Sequence, residues 1–421
     1  MPNQPSVDWT PGKKTVADLG KIRETFPAVH EFVASPNGER IAVPVQKDDD
    51  VFGVCVNGEV WEEDFEKAWH LTFGPDNRLT ALVRVDDEWT VAVDGELWEE
   101  RYEFAWNTKF SRDGSKIAVQ MKQDMEYAIA VDGKAWEQRY KSCRDYALSA
   151  DGEKAAALVQ VDDLPEADVF KFLEGTWSVS VNGEAWEKKY LNVYAPCFNE
   201  DGSHVAVEVR TDATEYTVAQ DDSPWEAKYG CVWEPAYRPG NGAIVVPVRG
   251  PGGWTLSEGG KPLWKTRFMQ LWRQRFSPDG KRVAAVVATG YGQWTIAVDD
   301  VAWPQTWSDM VLPPVFSHDG KHVAAVVKDG ERWSIAMDGR IWPESFDMIW
   351  DPVFAPGSDV VLAKVERDGR YRIAANGRLW SPTFEQLWEP IVSPDGKHVL
   401  VRGVVDDKYV RQVVSLGEIK G

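Results

Sequence analysis

Six histidines, four cysteines and 67 acidic residues are the side chains of this 421-residue sequence that could carry acid–base, nucleophilic or metal chemistry. Their spacing argues against it. Cys55, Cys143, Cys197 and Cys231 lie far apart with no CxxC pair, so a disulfide framework, a zinc site and an iron–sulfur site all lack their pattern, as does CxxCH haem attachment. His204, His322 and His398 recur just after a glycine turn, where a partly exposed strand residue needs no special role. GxSxG, HExxH and a phosphate-binding glycine loop do not occur, which removes the usual patterns of nucleophilic, zinc and nucleotide chemistry. The run Asp48–Asp50 lacks the spaced oxygen ligands and the glycine of a calcium loop. The expectation is a protein that is not an enzyme and holds no cofactor and no metal.

The aromatic residues carry more information. Tryptophan, normally the rarest aromatic, is here the commonest: 22 against 12 tyrosines and 16 phenylalanines. A large amphipathic side chain is kept at that density when many positions need one shape, which points to a repeat. Charge narrows the partners. With 47 basic and 67 acidic residues, a net charge of -20, nucleic acid and anionic membrane are disfavoured and a basic or neutral partner fits. The opening MPNQPSVDWTPGKK has no apolar core or cleavage site, and no stretch approaches the roughly 18 apolar residues of a membrane span. A cytoplasmic protein without direct membrane insertion is expected.

The elements that position these residues come from ten turn motifs: SPNG from Ser35, GPDN from Gly74, SRDG from Ser111, SADG from Ser149, NEDG from Asn199, RPGN from Arg238, SPDG from Ser277, SHDG from Ser317, APGS from Ala355 and SPDG from Ser393. Their starts are 37 to 40 residues apart, except for one step of 50 between Ser149 and Asn199. Each unit reads as an apolar stub, the turn, an alternating apolar run, a short loop, a third run such as WTIAV, an Asp/Asn-Gly turn and an aromatic fourth segment. Four short strands in roughly 40 residues is the arithmetic of a propeller blade. The sequence thus predicts an all-β propeller of about ten four-stranded blades, either one ring or two five-bladed rings joined near 221–262. Residues 1–15 read as a tail and 16–421 as the propeller. The last unit runs out near SLGEIKG, and Ile22 and Phe26 stand at the offsets before Ser35 that Trp380 and Phe384 hold before Ser393. The N-terminal segment should therefore supply the strand missing from the last blade.

The FSPDGKxVA pattern followed by W-x-I-A-x-D-G resembles the TolB-like and WD-repeat-like propeller repeats over residues 22–421. Tryptophan content, chain length and the repeated Asp-Gly-x-x-Trp also resemble the tryptophan-rich cytoplasmic subunit of the transmembrane cytochrome–menaquinone redox complex of sulfate-reducing bacteria. That resemblance implies a redox-inactive accessory subunit, membrane-associated through its partners, which would be cytoplasmic iron–sulfur and membrane subunits of the complex.

Twenty of the 22 tryptophans occupy three positions of the repeat. One set opens the fourth strand (Trp61, Trp98, Trp136, Trp186, Trp225, Trp264, Trp303, Trp342, Trp380) and a second opens the third (Trp89, Trp177, Trp254, Trp294, Trp333). Both should wedge between blades. The third set, Trp69, Trp106, Trp233, Trp272, Trp350 and Trp388, lies five residues before the turn, at the expected rim of a central channel. It is read either as packing or as a partner-binding rim.

Acidic residues gather in the loops between second and third strands: Asp48–Asp50, Asp86–Glu88, Asp124 and Glu126, Asp162 and Asp163, Asp212 and Glu215, Asp406 and Asp407. Residues 1–250 hold 46 acidic and 26 basic residues, so the net charge lies in that part. This acidic arc, including Asp49 and Asp87, is either a solubilising surface or a docking face for a basic protein. The long unit carries an insertion, DDLPEADVFKFLEG, in which Pro165 could open a helix bearing Val169, Phe170, Phe172 and Leu173. It either folds back on its blade or anchors a partner. The reading that follows is a non-catalytic protein-interaction scaffold, and, from the resemblance, an accessory subunit of an electron-transfer complex. A ligand-binding, lectin-like propeller is the alternative.

Overall fold

The computed structural model describes residues 7–163 and 169–421. They form ten four-stranded antiparallel sheets, the blades of a ten-bladed β-propeller. Blades 1 to 5 span 28–60, 67–97, 104–135, 143–185 and 192–224; blades 6 to 10 span 231–262, 270–302, 310–341, 348–379 and 386–415. The chain divides into two compact units, 18–237 and 238–421, the second including 8–17. No described helix is long and apolar enough to cross a membrane.

The second strand of each blade shows why a single blade is not viable. In Ile41–Asp48, Leu79–Val85, Ile117–Gln123, Ala155–Gln160 and Val205–Arg210 the first five residues are all buried, odd and even positions alike. Side chains alternate between the two faces of a strand, so both faces are covered. The alternation expected from the sequence is accordingly weak here: the runs are continuous because neighbouring blades cover both sides.

The first set of tryptophans makes that cover. Each indole follows a fourth strand of only two residues, such as Glu59–Val60 before Trp61, and Trp61, Trp98, Trp136, Trp303 and Trp342 lie on the glycine of the next blade's second turn. A Cβ on Gly95 would stand 3.6 Å from Trp61, one on Gly133 3.2 Å from Trp98, and one on Gly339 3.3 Å from Trp303. Each glycine also holds a positive φ, so the Asp-Gly pair serves the turn and the indole together. Blades 5 and 7 put Asp222 and Asp300 at the glycine position. Their carboxylates accept backbone N–H groups just after the preceding blade's tryptophan: from Glu187 and Lys188 at 3.0 and 3.2 Å, and from Lys265 and Thr266 at 2.9 and 3.1 Å.

The fourth segment is shorter as a strand than its sequence suggests. After the tryptophan the chain bends, and an aromatic residue four positions later makes a single β-bridge to the residue that opens the third strand: Tyr102 to Trp89, Tyr190 to Trp177, Phe346 to Trp333, and Trp307 to Trp294. A buried hydroxyl pins the bend; Thr90 and Ser178 donate to the carbonyls of Glu100 and Lys188 at 2.9 and 2.8 Å.

The last blade takes its outer strand from the N-terminus, as expected, but from Gly12–Asp18, which pairs with Lys408–Ser415. The offsets of Ile22 and Phe26 point to a later segment. Asp18 caps a helix there, Leu19–Thr25, by accepting the Lys21 N–H, and Ile22 is buried on that helix instead. At the other end Leu416–Lys420 forms a short helix whose Ile419 packs in one cluster with Trp380, where other blades present a turn.

Trp342 is 7 % exposed, and its Cβ lies 3.1 Å from the position a Cβ would take on Gly377. Trp342→Ala should lower the unfolding free energy by roughly 3–5 kcal/mol. Denaturant titration checks it, and an unchanged midpoint refutes the packing role.

Candidate functional site

The third set of tryptophans pairs within its own blades. Trp272 meets Trp294 with ring centroids 4.8 Å apart, Trp388 meets Tyr409 at 5.5 Å, Trp350 meets Tyr371 at 5.7 Å, and Trp69–Trp89 and Trp106–Tyr127 stand at 6.0 Å. Most are edge-to-face, the arrangement the ring quadrupole favours. In blade 4 the same place is held by Arg144, whose guanidinium lies 3.7 Å over Trp177. Trp106, Trp272, Trp350 and Trp388 are half-buried, while Trp69 and Trp233 are 43 % and 38 % exposed. The set is thus neither uniformly packed nor uniformly open.

In blades 2 and 3 the pairs fuse into one surface. Phe104, 38 % exposed, contacts Trp89 at 5.5 Å, Trp69 at 6.2 Å and Trp106 at 5.7 Å, so Trp69, Trp89, Phe104, Trp106 and Tyr127 form a continuous aromatic chain. Phe104 and Trp106 are two apart on one strand and so share a face. Met125 sits at the adjoining hairpin tip, 68 % exposed and with φ +62. A bulky residue held in the left-handed region and in solvent is strained with no packing to compensate, the kind of feature that accumulates at functional sites.

The acidic loops are explained in part by turn geometry. Asp86 and Asp87, Asp124 and Met125, and Asp406 and Asp407 are central pairs of two-residue hairpins, and all six have positive φ. Asp and Asn tolerate that conformation best after glycine, so these loops would hold Asp even without a binding role. Several charges are also met locally: Arg84 lies 2.6 Å from Asp87 and 3.5 Å from Glu66, and Lys122 lies 3.8 Å from Glu103. Asp86 and Glu88 form no ion pair among the described residues and stand exposed beside Trp89. Asp49 is exposed at the tip of blade 1, its N–H bonded to the Asp48 carboxylate at 2.8 Å.

The insertion of blade 4 ends in a helix, Val169–Glu174; Pro165 lies outside the described residues. Phe170 is 83 % exposed, Val169 and Leu173 are exposed too, and Phe172 is half-buried. Asp162 tethers the helix by pairing with Lys171 at 3.4 Å and Lys189 at 2.6 Å, and these lysines lower its pKa. Phe104 and Met125 were missed by sequence reasoning. Their traces lie in the sequence: a phenylalanine where blades 2, 5 and 7 carry Lys67, Asn192 and Gln270, and a methionine where the hairpins of blades 1, 2, 7, 9 and 10 carry Asp50, Asp87, Gly292, Gly369 and Asp407.

Two of the cysteines are held as protonated thiols, and one carboxyl is strongly perturbed. Burial pushes the Cys143 and Cys197 thiols up to about 12, far from the thiolate a nucleophile needs. Glu208, on the second strand of blade 5, is raised to about 8, chiefly by burial and then by the Glu234 carboxylate.

No family model matches the chain, and no curated protein matches it. Solved structures align with it at low similarity. The Dos1 propeller aligns over 98 % of this chain and 96 % of its own at 11 % identity and a TM-score of 0.39. TolB from Acinetobacter baumannii aligns over 74 % and 77 % at 13 % identity and a TM-score of 0.29. A structure from a study of two prolyl endopeptidases aligns over 92 % and 58 % at 13 % identity and a TM-score of 0.40. At such identities the likeness concerns the fold alone.

Because the folded pKa of Glu208 is raised, the native state holds a proton that the unfolded chain gives up above its ordinary carboxylate pKa. Stability should therefore fall as pH rises from about 4.5 to 8, by an amount on the order of a few kcal/mol. Glu208→Gln should flatten that decline. A wild-type profile level across this range in denaturant titrations would contradict it.

Proposed function

We propose that this propeller is a non-catalytic protein-interaction scaffold whose docking surface is the acid-rimmed aromatic face of blades 2 and 3. The observation that carries the reading is the connected chain Trp69, Trp89, Phe104 and Trp106, in which Trp69 and Phe104 are exposed and Trp89 and Trp106 half-buried, with strained, exposed Met125 beside it. Large rings supply area at low entropic cost and a flexible thioether adapts to the partner's shape, while Asp86, Asp87 and Glu88 favour a partner that is basic around an apolar centre. The helix bearing Phe170 and Phe172 is a second anchor in this reading. The half-buried indoles Trp272, Trp350 and Trp388, and exposed Trp233 and Asp49, extend the contact surface to other blades.

The sequence resemblance extends the proposal. It makes the chain an accessory cytoplasmic subunit of a membrane-associated electron-transfer complex, with iron–sulfur and membrane subunits as partners. The support for that step is the tryptophan-rich Asp-Gly-x-x-Trp repeat.

Capture from detergent-solubilised native membranes, with partners identified by mass spectrometry and affinities then measured on the purified pair, tests both levels. Binding should weaken steeply with salt, and Trp69→Ala with Phe104→Ala should lower affinity by about tenfold or more. Met125→Gly should weaken binding while stabilising the fold by about 1 kcal/mol, because glycine accepts the positive φ. Partner affinity indifferent to all three substitutions would place the interface elsewhere.

A further inference from the structure

Blade 7 departs from the other blades at its hairpin tip. Where blades 2 and 10 turn on Asp86-Asp87 and Asp406-Asp407, blade 7 turns on Tyr291-Gly292, with Gly290 before the tyrosine. Tyr291 is 95 % exposed and Met269 54 % exposed. Together with the Trp272–Trp294 pair they line a slot of about 540 Å³, with Ser308 also in its lining. Two packed indoles, a solvent-exposed tyrosine and a thioether border one opening.

The electrostatics give the sign of the occupant. Ser308 Oγ lies 2.6 Å from an oxygen of Asp329 and 3.1 Å from one of Asp309, and Asp309 also accepts the Gly330 N–H at 2.6 Å. Neither carboxylate has an ion-pair partner among the described residues. Lys328, the adjacent lysine, lies over Trp333 at 5.2 Å instead. Two uncompensated negative charges therefore stand one hydroxyl behind an aromatic slot.

We propose that this slot binds a trimethylalkylammonium group. Aromatic faces attract a cation through their quadrupole. A plain ammonium would lose strong hydration there without direct contact with a carboxylate. A quaternary ammonium has no N–H to leave unsatisfied, presents methyl groups to the rings and Met269, and still feels the charges of Asp309 and Asp329. The group could arrive on a small molecule such as choline or on a trimethylated lysine of a protein; the chemistry recognised is the same.

Ligand-observed NMR titration at constant ionic strength, following the N-methyl signal, tests this on the full chain. Choline should bind saturably and about tenfold more tightly than its neutral isostere 3,3-dimethylbutan-1-ol. Tyr291→Ala, at a side chain open to solvent, should weaken choline about tenfold and leave the melting curve unchanged. Asp329→Asn should weaken choline but not the isostere. A trimethyllysine peptide binding more tightly than choline would assign the source to a modified protein, and the reverse to a small molecule. Equal binding of choline and the isostere, or no saturation by either, overturns the proposal.

Discussion

Every blade of this protein has a sheet with two apolar faces, and the rest of the structure follows from the need to cover both. Burying one large apolar side chain contributes about 1.5–3 kcal/mol, and second strands such as Ala155–Gln160 and Val323–Asp329 bury five apolar residues in a row. That cover must come from the adjacent blade, so the contact between blades is repeated with little variation. An indole laid on a glycine is the form it takes: the ring supplies area, and the missing Cβ lets it close. Where glycine is replaced, as at Asp222 and Asp300, a carboxylate clamps the backbone beside the tryptophan and holds the same approach.

Once the seams have used one set of tryptophans, the aromatic residues at the hairpin edge are not needed in every blade, and they vary. His30, Arg144, Tyr194 and Leu312 replace tryptophan there. This freedom lets one edge carry function without endangering the fold. The connected rings of blades 2 and 3, strained Met125 and the slot of blade 7 are three local departures from a repeat that is otherwise strict.

The repeat made the architecture legible in the residues. Ten turn motifs at nearly constant spacing give the blade count, and the Asp-Gly-x-x-Trp rhythm gives the seam. Features that break the period were harder to place. The outer strand of the last blade begins at Gly12 because Asp18 caps a helix over the segment that looked equivalent to other fourth strands. In blades 2, 3, 5 and 7 the first strand bulges beside left-handed His70, Asn107, Ala195 and Arg273, and in blades 6, 8, 9 and 10 it is interrupted around Pro235, Pro313, Pro352 and Pro390. The candidate site was half visible: Trp69, Trp106 and Asp87 stand out by position. Phe104 joins them only through side-chain contacts that no linear pattern encodes, and the acidity of the loops mixes turn chemistry with charge.

The central claim is that contact between indole and glycine, beyond the turn's need for positive φ, holds neighbouring blades together. Two glycines of blade 9 separate the effects. Gly377 and Gly369 both have positive φ, at +82 and +68, but a Cβ on Gly377 would meet Pro343 at 2.8 Å and Trp342 at 3.1 Å, whereas one on Gly369 meets nothing within 4 Å. The measurement is the denaturation midpoint of Gly377→Ala against Gly369→Ala. The account predicts that Gly377→Ala loses more stability, by about 1–3 kcal/mol from overpacking. Equal losses would mean that the turn alone needs the glycine and would contradict it.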